Sequence, residues 1–210
     1  TASVCREYGL DMWVFIQTMG FNTVKRPPSL EDMRYQSYAC LAFGAKSIMH
    51  FCYATPPSGG ELFEYAMIGL DGEKTDLWYN TQKVNLELKA ISPVYMQYKN
   101  VGAYIHRAGP YVPGLGFDNI YEEFDVIKSI DCEESLLIGC FEKNEGDGKA
   151  FVVLNASELS REAPAQVSFE LEGDREVTAY IKGVPEKLTE KDGKYSISLD
   201  CGEGAFVTVS

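Results

Sequence analysis

The chain is poor in several features that would direct a functional reading. It has two histidines, and its six cysteines (Cys5, Cys40, Cys52, Cys132, Cys140, Cys201) are widely scattered. No CxxC pair and no Cys/His cluster at zinc spacing occurs, so no metal site is expected and the thiols read as mostly buried and reduced. Neither a Gly-rich phosphate loop nor a GxSxG elbow is present, which leaves nucleotide and esterase chemistry without support. No apolar run approaches the ~20 residues needed to cross a bilayer, and the first residues lack the order of a signal peptide. The expectation is a soluble protein with no membrane partner, either cytoplasmic or secreted with its signal outside this segment. Basic side chains are also few: 19 Lys and Arg face 31 Asp and Glu, for a formal charge of -12. That balance opposes binding to phosphate backbones, so no nucleic acid partner is expected; with no phosphate loop and no zinc motif, no cofactor is expected either.

With 210 residues and 45% hydrophobic side chains, the chain can bury a core in one large or two small domains. Its centre is the stretch from Pro28 to Pro56. Ser29 stands where a helix N-cap would stand, with Glu31 and Asp32 in the first turn. Leu30, Met33, Ser37, Leu41 and Ala45 follow at spacings of three and four, the stripe of a helix laid on a sheet. Gly44 fits the left-handed position at the helix end. Ser47 to Tyr53 is then almost continuously apolar, as in a strand covered on both faces. The breaker cluster Ala54-Thr55-Pro56-Pro57-Ser58-Gly59-Gly60 ends it.

Upstream, Cys5 to Tyr8 reads as a helix tail stopped by Gly9, and Leu10 to Gln17 as a second buried strand, with Trp13 in the core. The loop to the central helix carries Arg26 ahead of two stiffening prolines. Downstream, Thr75 reads as the N-cap of a long helix with Leu77, Val84, Leu88 and Ile91 on its apolar face, ended or kinked at Ser92-Pro93 with a further turn to Tyr98. The order is strand, helix, strand, helix. Beyond the Pro/Gly-rich connection Gly109 to Gly116 no helical period recurs. Short β-rich runs take over, at Leu136 to Phe141, Ala150 to Leu154, Gln166 to Leu171, Val177 to Ile181, Tyr195 to Leu199 and Ala205 to Val209, separated by Gly/Asp turns. The expected architecture is α/β over residues 1–108, as two βα units that are either the carboxyl-terminal piece of a larger α/β barrel or a part completed by another polypeptide, plus a small antiparallel β-sandwich over 109–210. Two parallel strands alone are not a stable sheet. The remaining barrel strands must come from the same chain or from another polypeptide.

Ligand sites of parallel α/β folds lie at the carboxyl ends of strands. That places Gln17, a neutral donor and acceptor at the strand end, among the candidates with His50, Tyr53 and Thr55, for which packing or capping is the alternative role. Trp78 begins the last helix near the same mouth, where core packing is again the alternative.

Arg34, Tyr38, Leu41, Ala42, Gly44, Ala45, Lys46 and Ile48 fit an R-x-x-x-Y-x-A-L-A-x-G-A-K-G-I pattern, with Ser47 in place of the second glycine. Tyr53-Ala54-Thr55-Pro56 fits a Y-x-T-P strand end, and Gly69-Leu70-Asp71-Gly72 with Thr75 and Asn85 to Lys89 fit the turn and helix that follow. On these residues the chain resembles the carboxyl-terminal part of (β/α)8-barrel glycoside hydrolases related to the β-galactosidases of family 42, and Gly202 to Val207 resembles the end of their accessory β-domain. The resemblance implies carbohydrate as the partner and identifies the two strands as the seventh and eighth of a barrel. Retaining glycosidases use two carboxyl groups about 5 to 5.5 Å apart. In the related barrels the acid/base follows the fourth strand, absent here, and the nucleophile is a glutamate ending the seventh, where this chain reads Phe15-Ile16-Gln17-Thr18. The expectation is therefore a segment that supplies subsite walls rather than a complete catalytic pair, the alternatives being a non-catalytic carbohydrate-binding or scaffold protein, or one subunit of a split barrel. Glu61 and Glu64 are the carboxylates beyond the eighth strand and the candidate acids. Tyr53 offers a ring to stack on a pyranose, while His50 and Gln17 offer hydroxyl-directing groups.

Overall fold

The computed structural model describes residues 1–22, 24–57, 61–106, 124–157 and 163–210. Over these the chain is a mixed helix and sheet protein, rich in sheet. The loop glycines 59 and 60 and the Gly109 to Gly116 connection lie outside the described residues.

Helix α1 (Ala2–Tyr8) ends at Gly9, whose φ of 62° lets its N–H turn back to the carbonyls of Cys5 and Arg6. Strand β1 (Met12–Gln17) then runs parallel to β3 (Ala45–Phe51), with Val14 opposite Ile48 and Gln17 opposite Phe51. Between them α2 (Leu30–Ala42) opens with a reciprocal capping box: the Asp32 N–H donates to the Ser29 hydroxyl and the Ser29 N–H donates to the Asp32 carboxylate. A two-residue ladder, β2 (Gly20–Phe21) with β4 (Phe63–Glu64), joins the loops that follow β1 and β3. Helix α3 (Asp76–Tyr95) runs through Pro93 instead of stopping there. The expected extra turn to Tyr98 is not helical: the chain leaves α3 at Met96, and Tyr98 opens strand β5 (Tyr98–His106).

The remaining strands are β6 (Ile127–Asp131), β7 (Leu136–Lys143), β8 (Lys149–Asn155), β9 (Ala165–Leu171), β10 (Val177–Ile181), β11 (Val184–Leu188), β12 (Tyr195–Leu199) and β13 (Gly204–Val209). They form two antiparallel sheets, of order β11-β10-β13-β8-β7-β5 and β12-β9-β6. All six β-rich runs read in the sequence are strands here. Strands β5, β6 and β11 went unread, the last because Val184-Pro185-Glu186-Lys187-Leu188 has the proline and charges of an edge strand.

The central strands β7, β8 and β13 of the six-stranded sheet are buried on both faces. Ile138, Phe151, Val153 and Val207 meet Val167, Phe169 and Ile197 of the small sheet. On its other face Leu137, Phe141, Val152, Leu154 and Phe206 meet Tyr38 and Leu41 of α2 and Ile91 and Tyr95 of α3. The approach is close enough to require glycine. A Cβ on Gly139 would fall 2.6 Å from the Ala42 Cα, and one on Gly204 would fall 2.8 Å from the Tyr38 Cβ. Strand β5 precedes residue 109 in the chain and is hydrogen-bonded to β7 as the edge of this sheet.

The parallel pair is different. Ile16 packs with Met33, Met67, Leu77 and Val84 beneath the helices, but Trp13 is 64% exposed and Phe15 63%. Alternation along the strand puts Trp13 and Phe15 together on the face opposite Ile16, where both stand exposed among the described residues. Trp13 is therefore not core, and β3, half-buried through Lys46–His50 with Phe51 exposed, is not covered on both faces.

Candidate active-site rim

The carboxyl ends of β1 and β3 are tied together just past the ladder. The Thr18 N–H donates to the Phe51 carbonyl at 2.8 Å, and the Thr18 hydroxyl donates to the Cys52 carbonyl at 3.3 Å. Their loops are also joined, because Asn22 and Leu62 exchange bonds through backbone and side chain. Gln17 thus shares one rim with Glu64, which pairs across the short ladder with Gly20.

Gln17 is held on all sides. Its side-chain Nε2 donates to the carbonyls of Met19 and Arg26, both at 2.9 Å, which fastens the β1–α2 loop to the strand end. The Gln36 side chain accepts from the Gln17 N–H at 2.8 Å and donates to the Gln17 carbonyl at 3.2 Å. That amide satisfies the backbone N–H and C=O of Gln17 on the free edge of β1, as a neighbouring strand would. Next to it, Arg26 and Asp32 form a two-pronged pair, the second bond at 2.9 Å. Burial pushes the Asp32 carboxyl up, but its bonds from Arg26 and from the Ser29 backbone outweigh this and hold it below the ordinary carboxylate value. Gln17, Arg26, Asp32, Tyr35 and Gln36 line an open cavity of about 390 Å³.

The other candidates divide. Tyr53 is 60% exposed at the end of β3. Thr55 lies in the same loop, but its hydroxyl donates to the Ile68 carbonyl at 2.9 Å and accepts from the Ala66 N–H at 3.0 Å, so it is engaged in holding that loop. Glu61 is exposed and Glu64 half-buried. His50 sits on the opposite face of β3, bonded to Asn85 of α3, and burial lowers its pKa below the usual histidine value. With Ile48, Leu88 and Ile91 it lines a separate groove of about 480 Å³ between β3 and α3. Trp78 also faces the helical side, half-buried against the Ile16 cluster, with the Lys74 ammonium 3.5 Å from its ring centre. The rim therefore gathers Gln17, Tyr53, Thr55 and Glu64, while His50 and Trp78 lie elsewhere. Sequence reasoning missed Asp32, Tyr35 and Gln36 as rim residues. Gln36, three and four residues from Met33 and Asp32, carried only a helical-spacing signal.

Residues 5–91 match the Glyco_hydro_42 family model, described as Beta-galactosidase. The family 42 match runs from within α1 to within α3, less than half of the chain, and this segment is glycoside hydrolase-like. No curated protein matches the chain. Similar solved structures include an alpha-amylase from Anoxybacillus, at 13% identity and a TM-score of 0.48, covering 95% of this chain and 38% of that one. The alpha-amylase of Geobacillus thermoleovorans complexed with acarbose is 10% identical with a TM-score of 0.49, covering 95% and 39%. The family 30 subfamily 8 xylanase Xyn30A from Clostridium acetobutylicum is 10% identical with a TM-score of 0.41, covering 99% and 44%. The chain spans about two fifths of the length of these structures.

Proposed function

We propose that the chain is the carboxyl-terminal part of a glycoside hydrolase-like protein acting on carbohydrate, with residues 1–108 carrying the last two βα units of a TIM-type barrel and, at their end, strand β5 of the accessory β-sandwich that residues 109–210 complete. The observation that carries this is the parallel pair β1–β3. Within a segment matched by the family 42 model, both its outer edges lack a strand partner among the described residues, and Trp13 and Phe15 stand exposed on its uncovered face. Large aromatic side chains on an uncovered sheet face call for a cover, and further βα units would supply one.

In this reading the rim supplies sugar contacts. Tyr53 offers its ring to a pyranose face, and the Arg26–Asp32 pair offers fixed donors and acceptors to hydroxyls. Gln17 positions the loop that carries Arg26. No carboxylate stands at Phe15 to Thr18, so the nucleophile and acid of a retaining pair would come from outside this segment, with Glu61 and Glu64 as local candidates for hydroxyl contacts or proton transfer.

The test is to express residues 1–210 alone and joined to the polypeptide encoded upstream, and to measure aryl β-galactoside hydrolysis and oligosaccharide binding. Turnover by the longer protein alone, abolished by replacing an upstream acid, is expected. Hydrolysis by residues 1–210 alone would overturn the reading. The missing carboxylate at the end of β1 favours a second reading, a carbohydrate-binding protein without catalysis. Binding by the longer protein without turnover would select it.

A further inference from the structure

At the opposite end of the parallel pair, where β1 and β3 begin, lies a second cavity of about 390 Å³ between α1, the end of α2 and strand β5. Arg6, Lys46, Lys99, Asn100 and Asn144 line it, with Asp11 as the carboxylate on its wall. Its cations are unusual for this chain. Arg6 and Lys46 are half-buried, and among the described residues neither has a carboxylate within 4.0 Å. Every other lysine or arginine described is either exposed or paired. In a protein of net charge -12 a carboxylate partner is easily found, so two half-buried cations left without one in the same cavity need another explanation.

Both are also held in place. The Arg6 Nη1 donates to the Asn100 side-chain oxygen at 2.8 Å. Asn100 is itself fixed, because its amide nitrogen reaches the carbonyls of Ala42, Gly102 and Cys140 at 3.0, 2.9 and 3.2 Å. Lys46 donates to the Tyr98 carbonyl at 2.7 Å and its ammonium lies 4.8 Å from the centre of the Tyr95 ring, which holds it in place and leaves one ammonium hydrogen for a ligand. Burial lowers the Lys46 amine below its ordinary value, partly offset by Asp11, as expected for a charge partly stripped of water without a close counterion. A pre-oriented guanidinium beside a partly desolvated ammonium suits a compact oxyanion, which the fork of an arginine can grip with two bonds.

We propose that this cavity binds a phosphate group, free or carried by a small sugar, through Arg6 and Lys46. The site is independent of the glycosidase-like rim, being at the other end of the strands. The test is titration of inorganic phosphate into residues 1–210 at constant ionic strength set with chloride, followed by phosphorus NMR line width and melting temperature. Saturable broadening with a rise in melting temperature is expected, and Arg6→Gln or Lys46→Met should each weaken binding at least tenfold while Lys89→Met, an exposed lysine, leaves it unchanged. If Arg6→Gln does not fold, Lys99→Gln serves as the milder variant, with a few-fold loss expected. Glucose 6-phosphate binding more tightly than inorganic phosphate would identify a sugar-borne group, and equal affinity a free one. No saturable binding, or equal binding by the Lys46→Met and Lys89→Met proteins, overturns the proposal.

Discussion

The two kinds of sheet in this molecule solve the same problem with opposite outcomes. The centre of the six-stranded antiparallel sheet is clothed on both faces, by the small sheet and by α2 and α3, and β8 buries every residue from Ala150 to Asn155. The parallel pair is clothed on one face only, and along β1 buried Ile16 alternates with exposed Phe15. Burial on both faces makes the antiparallel sheet a finished structure. Burial on one leaves the parallel pair with Trp13 and Phe15 exposed, next to the rim where sugar contacts are proposed.

Breaking the tie between α2 and α3 should cost most. Arg34 and Glu87 pair through bonds of 2.6 and 3.1 Å in a site where both side chains are under a tenth exposed. Arg34→Met leaves Glu87 buried without its partner and should lose about 3–5 kcal/mol in urea unfolding, whereas the Arg34→Met, Glu87→Met double variant should recover most of it. The comparison of faces is sharpened within one strand. Ile16→Ala should cost about 2–5 kcal/mol, while Trp13→Ala in residues 1–210 should change stability by less than about 0.5 kcal/mol. In a longer protein that completes the barrel, the Trp13 variant should become as costly as the Ile16 variant, and equal indifference there would argue against a cover. Gly139→Ala presses a methyl into the Ala42 backbone and should lose about 1–3 kcal/mol, since neither the sheet nor α2 can yield.

Smaller effects lie at the start of α2. Ser29→Ala removes half of the capping box and should cost about 1 kcal/mol, seen in thermal unfolding. The same corner sets a pH dependence. Because the folded Asp32 carboxyl is held below its unfolded value of about 3.9, its contribution is complete above that value and is lost as pH falls through the depressed folded pKa. Unfolding followed between pH 6 and 3 should therefore show a steeper loss for the native protein than for Asp32→Asn.

Much of this was legible in the sequence because the signals were local. Ser29 with Asp32 predicted a cap, Gly44 a left-handed helix end (φ 86°), and six β-rich runs their strands. What escaped notice depends on distant partners. Trp13 looks like core because apolar periodicity reveals a face without saying whether anything covers it. Gln36 looks like ordinary helix surface because its role is to satisfy a backbone 19 residues away. His50 and Gln17 both looked like strand-end groups, but the alternation of β3 turns His50 toward α3 while the β1–α2 loop encloses Gln17.

The contact of α2 with the sheet through Gly139 and Gly204 has a practical result. One helix serves as lining for two layers, so the antiparallel sheets cannot be trimmed away as a detachable tail. Cutting the gene at the connection would strip Tyr38, Leu41, Ile91 and Tyr95 of their neighbours, and the product should aggregate rather than survive as a smaller sugar-binding unit.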